Sequence, residues 1–246
     1  MKSLATILII TALSAGVNKS SFAVPVSVSV AGDRTEIQDR HLSGFSSIDV
    51  SGSFDVFITQ GSTESVKVEA ERGDLDKIVT EVKNGVLHID NKRSMGGMSW
   101  DWGNRKRIVR VVVRNVNAVN VNGSGDVAFS EGLRTQSLSL MVRGSGDVEG
   151  RIEAENLECG ISGSGDVALS GRADNISVKA SGSGDFDARK LQSVNAAVKL
   201  SGSGDAVVNA SQRVDAKVSG SGDIRYTGAA KQVSTSKSGS GDIGRL

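Results

Sequence analysis

Apolar and polar residues alternate with a period of two through most of the chain after Phe45, and the alternation breaks at glycine turns. Period two puts successive side chains on opposite faces of a strand, so the pattern predicts strands buried on one side. Ile48 and Val50 lead into Gly52, Val56 and Ile58 follow Asp55, and Val66 with Val68 marks a further short strand. Ile78 to Val82 and Val86 to Ile89 are two more. They are joined through Asn84-Gly85, a pair that tolerates positive φ and so favours a tight hairpin. Between these segments, Asp74-Leu75-Asp76-Lys77 has the length of one helical turn. No stretch shows the three- and four-residue apolar spacing of a long amphipathic helix, so the chain is predicted to be all-β.

The second half repeats. Gly-Ser-Gly-Asp occurs seven times, starting at Gly123, Gly144, Gly163, Gly182, Gly202, Gly220 and Gly239, at intervals of 18 to 21 residues. Six, four and two residues before the first glycine stand Leu138, Leu140 and Val142 in one copy, and Leu157, Cys159 and Ile161 in the next. Apolar residues such as Val148, Val167 and Phe186 follow the aspartates. Columns of this kind predict a β-solenoid, or β-helix, of short coils with a period of about 19 residues, each coil burying the apolar side of its neighbour. Parallel strands joined by crossovers favour a right-handed coil. A β-propeller needs about 40 residues per blade and fits the period poorly.

Gly52-Ser53-Phe54-Asp55 fits the same template as a variant first turn. Phenylalanine resists the left-handed conformation open to glycine, so a different turn is expected there. At the other end, Thr235 and Lys237 occupy positions that are apolar in earlier copies, as a polar terminal cap would.

Lys2, the apolar run Leu4 to Leu13 and the small-x-small triplet Ser21-Phe22-Ala23 read as a signal peptide over 1–23, cleaved before Val24. Residues 24–42 then form a leader or tether of little order. Residues 43–115 are an N-terminal β region interrupted by a loop at 92–107, and residues 116–246 are the repeat, with 43–246 forming one domain. The mature chain is expected outside the cytoplasm, in the periplasm, at the cell surface or secreted, with no transmembrane span. Cys159 is the only cysteine, so no internal disulfide forms, and its column makes it a core residue.

Composition narrows the function. Thirty glycines beside one proline suit a repeated turn, not collagen or a proline-rich linker. A net charge of +1 offers no footprint for nucleic acid.

The motif aspartates Asp126, Asp147, Asp166, Asp185, Asp205, Asp223 and Asp242, with Asp55, have two readings: a turn-stabilising row, or a calcium row. Carboxylates one coil apart repel by roughly 0.8 kcal/mol in water and about 3 kcal/mol at an effective dielectric of 20, so something must offset them. Backbone N–H groups of each aspartate's own glycine turn serve that purpose. Calcium wants six to eight oxygens, and one motif aspartate per coil supplies them badly, so no cofactor and no metal site is expected.

The segment Met95 to Trp102 holds both tryptophans of the chain, flanked by Lys92, Arg93, Arg105, Lys106 and Arg107. Tryptophan and arginine are enriched at binding hot spots, which makes Trp100, Trp102, Arg93 and Arg105 the candidate binding residues. The alternative is that the indoles fold back to cover an edge of the solenoid. His41 and His88 form no metal-ligand pattern, and no nucleophilic triad has supporting context. A carbohydrate-active enzyme, lyase or glycosidase, is the competing class. It would need carboxylates in contrasting environments, which a uniform row does not supply.

Phe45 through Val56, Thr59-Gln60-Gly61, Glu81 through Leu87 and the serial Gly-Ser-Gly-Asp turns together resemble the head GIN domain family of putative auto-transporter adhesins. The resemblance runs from about residue 42 to the end. It implies an exported β-solenoid that binds or scaffolds at the cell envelope, with a protein or polysaccharide partner of unassigned identity and no catalytic residues to carry over.

Overall fold

The computed structural model describes residues 35–92 and 105–246. In chain order the elements are β1 (Thr35–Asp39), β2 (Ser47–Gly52), β3 (Asp55–Gln60), β4 (Ser65–Glu71), α1 (Arg72–Leu75), β5 (Ile78–Lys83) and β6 (Val86–Asn91). They continue with β7 (Ile108–Val113), β8 (Ala118–Gly123), β9 (Val127–Gly144), β10 (Val148–Gly163), β11 (Val167–Gly182), β12 (Phe186–Gly202) and β13 (Ala206–Gly220). The last three are β14 (Ile224–Thr227), β15 (Gln232–Gly239) and β16 (Ile243–Arg245).

Strands β9 to β13 each bend round a whole coil. The start of β9 pairs with β3 and its end with β8, so one strand contributes to two faces. The face entering the glycine turns stacks β5, β6, β2, β8, the second halves of β9 to β13, and β15. The face leaving them stacks β1, β4, β7, β3, the first halves of β9 to β13, β14 and β16. The coils are parallel and in register: Leu138, Leu157, Ile176, Ala196 and Val214 form one buried column, as the period-two pattern predicts. The protein is an all-β solenoid of stacked coils.

Cys159 lies in the next column, between Leu140 and Val178, and is fully buried. Burial pushes its thiol up to about 12, so the thiolate that reacts is scarce at neutral pH. An aromatic disulfide reagent followed by absorbance is expected to label the native protein not at all, and to label it stoichiometrically in denaturant.

The N-terminal end departs from the sequence expectation in three ways. First, chain order is not stacking order: β7 lies between β3 and β4, so the coil made by β6 and β7 sits outside the coil made by β2 and β3. Second, residues 35–39, placed in a loosely ordered leader, form β1 on the sheet edge, antiparallel to β4. Third, β4 runs antiparallel to β7, unlike the parallel coils; the other antiparallel pair, β5 on β6, is the expected hairpin. The Asn84-Gly85 hairpin joins that last pair, with φ of 51° and 76° at its two central residues, as predicted.

The C-terminal end is open and polar. Val233, Thr235 and Lys237 continue the columns of Val214, Ala216 and Val218, yet every residue of β15 is exposed. Lys237 Nζ is tied to Asp242 Oδ1 at 2.6 Å. A charged, polar edge of this kind discourages further strand pairing.

Candidate functional site

Each glycine turn is bonded mainly to the turn of the coil before it. The carbonyl of Gly144 accepts the N–H groups of both Ser164 and Gly165, at 2.8 and 3.2 Å. That uses both lone pairs, and the N–H of Asp166 donates instead to Asp147 Oδ1 at 2.8 Å. The same bond recurs from coil to coil, from Asp126 through Asp242, at 2.7 to 3.0 Å. The donor expected from the aspartate's own turn is therefore supplied by the next coil, and each carboxylate from Asp126 to Asp223 clips two coils together. Among the described residues no group of three or more His, Cys, Asp or Glu side chains is placed to hold a metal.

Asp166→Ala would leave the Asp185 N–H without its acceptor and is expected to cost about 1–3 kcal/mol. Asp166→Asn keeps an acceptor oxygen, removes one like charge from the row, and should fall within about 0.5 kcal/mol of the parent in urea denaturation.

Asp223 is held below the usual carboxylate range, first by the N–H of Asp242 and then by Arg225. A depressed folded pKa gives stability that is present above the unfolded value and is lost as pH falls through the folded one. Arg225→Ala should therefore raise the Asp223 midpoint, as followed by carboxyl-carbon NMR below about pH 4.

The first glycine turn explains its own phenylalanine. Gly52 has φ of +134°, beside +131° at Gly123, and Phe54 is not left-handed, so the backbone follows the later turns, except that the Asp55 N–H donates to Arg107 O at 2.9 Å. Gly125, Gly146 and Gly165, at the position of Phe54, are not left-handed; a Cβ on any of them would strike the backbone of the preceding turn. Gly52-Ser53-Phe54-Asp55 has no glycine turn before it, so a side chain fits. Phe54 is fully buried, with the Arg107 guanidinium 5.8 Å from its ring centre.

Of the four candidate binding residues, Arg93, Trp100 and Trp102 lie outside the described residues. The segment that carries them joins β6 to β7, where the other coils have their glycine turn. Arg105, at its far end, is drawn into an ion network that the sequence did not reveal. Its Nη1 lies 3.3 Å from Glu71 Oε2 and 3.4 Å from Asp74 Oδ2. Asp74 has no exposed surface and also takes Lys77 Nζ at 2.7 Å. Arg40 Nη2 donates to Leu75 O at 2.8 Å, and the Lys92 N–H to Lys77 O at 2.7 Å. Both ends of the segment are thus fastened to the α1 region. The only sequence signal for this was a charged helical turn.

An open trough of about 1260 Å³ lies where the coils bend between turns. It is lined by Arg134, Arg151, Glu153, Arg172 and Asp174, whose charges are largely paired with one another. Arg134 and then Arg151 hold Glu153 below the usual carboxylate range.

A family profile described as "Putative auto-transporter adhesin, head GIN domain" matches residues 44–230. No curated protein matches the chain. Among crystal structures, a putative adhesin from Bacteroides fragilis NCTC 9343 aligns with a TM-score of 0.79 at 24% identity, over 87% of this chain and 98% of that one. A putative adhesin from Parabacteroides distasonis ATCC 8503 gives 0.70 at 25%, over 87% and 97%. A putative lipid binding protein from the same organism gives 0.68 at 26%, over 86% and 96%.

Proposed function

The chain belongs to the head GIN domain family of putative auto-transporter adhesins, and from that premise we propose that it is a non-catalytic binding or scaffolding module working outside the cytoplasm. The observation that carries this reading is the pair of continuous sheet faces, on which one outward position recurs in register from coil to coil. Such a surface suits a repeating or extended partner, an envelope protein or polysaccharide, better than a small substrate. Trp100, Trp102, Arg93 and Arg105 offer a second contact. The competing glycosidase reading needs a carboxylic acid held protonated, and Glu153 in the trough is shifted the opposite way.

A glycan array followed by product analysis tests the proposal: binding without turnover supports it, and accumulation of cleaved product overturns it. The Trp100→Ala/Trp102→Ala variant is expected to lose binding with an unchanged melting temperature. Loss of folding in that variant would make the tryptophans a cover.

A further inference from the structure

On the face entering the turns, Lys179, Lys199 and Lys217 stand in register on successive coils, about 4.8 Å apart. They alternate with buried residues, so all three project outward and are exposed. The next outward column toward the turn runs from Asp90 through Ser51 and Asn122 to Arg143, and continues with Ser162, Ser181, Ser201 and Ser219. Neither column contains an acidic residue from Met141 to Ser238. Lys179 reaches Glu158 at 3.3 Å, but Arg143, Lys199 and Lys217 meet no carboxylate among the described residues. Arginines elsewhere on the coils are paired, Arg134 with Glu153, Arg172 with Asp174 and Arg213 with Asp215.

A row of like charges one coil apart is unfavourable. The aspartate row offsets its repulsion with N–H bonds from the next coil. Within the lysine row Lys179 has Glu158, whereas Lys199 and Lys217 have no such compensation among the described residues, and an anion from outside would supply it.

We propose that this lysine and serine strip docks a linear polysaccharide carrying carboxylates, with one uronate-type sugar to each coil. Lys179, Lys199 and Lys217 lie on one line along the stack, as a linear polymer requires. On these three coils one strip cation per coil matches one charge per ring, whereas densely sulfated chains carry more. The serine hydroxyls suit sugar hydroxyls and carboxylate oxygens; Ser181 already donates to Ile161 O and is left to accept. The strip has no aromatic side chain on which nucleic-acid bases would stack, and no apolar side chain beyond Met141 to enter a bilayer. The inference rests on the binding-module reading and names the class of its ligand.

Affinity electrophoresis of the full chain in gels containing polygalacturonate, dextran sulfate or neutral dextran tests it, with anionic phospholipid vesicles as a further arm in flotation. Polygalacturonate is expected to retard the protein, less so as salt rises, and neutral dextran to leave it unmoved. Lys199→Glu/Lys217→Glu should weaken binding at least tenfold, and Lys199→Gln/Lys217→Gln by a smaller factor. Lys190→Glu, on another part of the coil, should stay within twofold, and all variants should keep the parental melting temperature. Equal loss in Lys190→Glu, binding indifferent to the strip variants, or a preference for dextran sulfate or vesicles would overturn the proposal. A neutral glycan bound on the array without polygalacturonate binding would sink the strip and leave the binding module standing. Turnover would instead remove the reading beneath it.

Discussion

Gly165→Ala is expected to destroy the folded repeat as thoroughly as Gly163→Ala, although only one of the two glycines has an unusual backbone. Gly163 has φ of +140°, a conformation that side chains rarely adopt, and a Cβ there would overlap the backbone oxygen of Gly144. Gly165 has no left-handed φ, yet its Cβ would overlap the oxygen of Gly146 just as closely. Backbone strain alone costs about 1–2 kcal/mol. Overlap with a backbone oxygen is worse, because no side-chain rotation relieves it and the coils must part, breaking the bonds that join their turns. Either variant should lose more than about 4 kcal/mol and its cooperative transition in urea.

Gly52→Ala is the internal comparison. Its Cβ would meet Asn91 Nδ2 at 2.6 Å and Phe54 Cε2 at 2.9 Å, side-chain atoms and not a backbone oxygen of another coil, with a φ of +134° as further strain. It should stay folded at a cost of about 1–3 kcal/mol. If Gly165→Ala melted within a few degrees of the parent, close approach of coils would not be the reason for the second glycine.

The contrast between Phe54 and Gly165 also marks where sequence reasoning reached its limit. The columns were legible, because each coil buries its neighbour through the same three or four positions. The reason for the second glycine was not, since local conformation and contact with another coil leave the same mark in a sequence. Stacking order at the N-terminal end was equally hidden: β2, β6 and β8 carry similar alternation, and nothing local says that β2 lies between the other two. The lysines recur at one position of the repeat, but only the ion pairing showed that Lys199 and Lys217 reach no carboxylate among the described residues while most arginines do. For the aspartates, the residue type pointed to carboxylates that accept from backbone N–H groups, and the identity of the donor depended on the stack.

Asp74→Ala is expected to cost about 3 kcal/mol or more, since removing one member of a buried ion network strands the charges arranged around it. Asp74 is fully buried and draws Lys77, Arg105 and the nearby Arg107 to the α1 end. Arg105→Ala should cost nearer 1 kcal/mol, because Arg105 is partly exposed and Asp74 keeps Lys77. Because a solenoid is stabilised coil by coil, the damage should be local. Hydrogen exchange should accelerate in β4, β5 and β6 and stay slow in β11 and β12. The same pair of variants decides what Arg105 does. If Arg105→Ala loosens these strands and leaves ligand binding unchanged, its ion pairs with Glu71 and Asp74 are its function, and recognition at this end falls to Arg93, Trp100 and Trp102. If binding drops while exchange does not move, Arg105 works toward the partner despite those pairs.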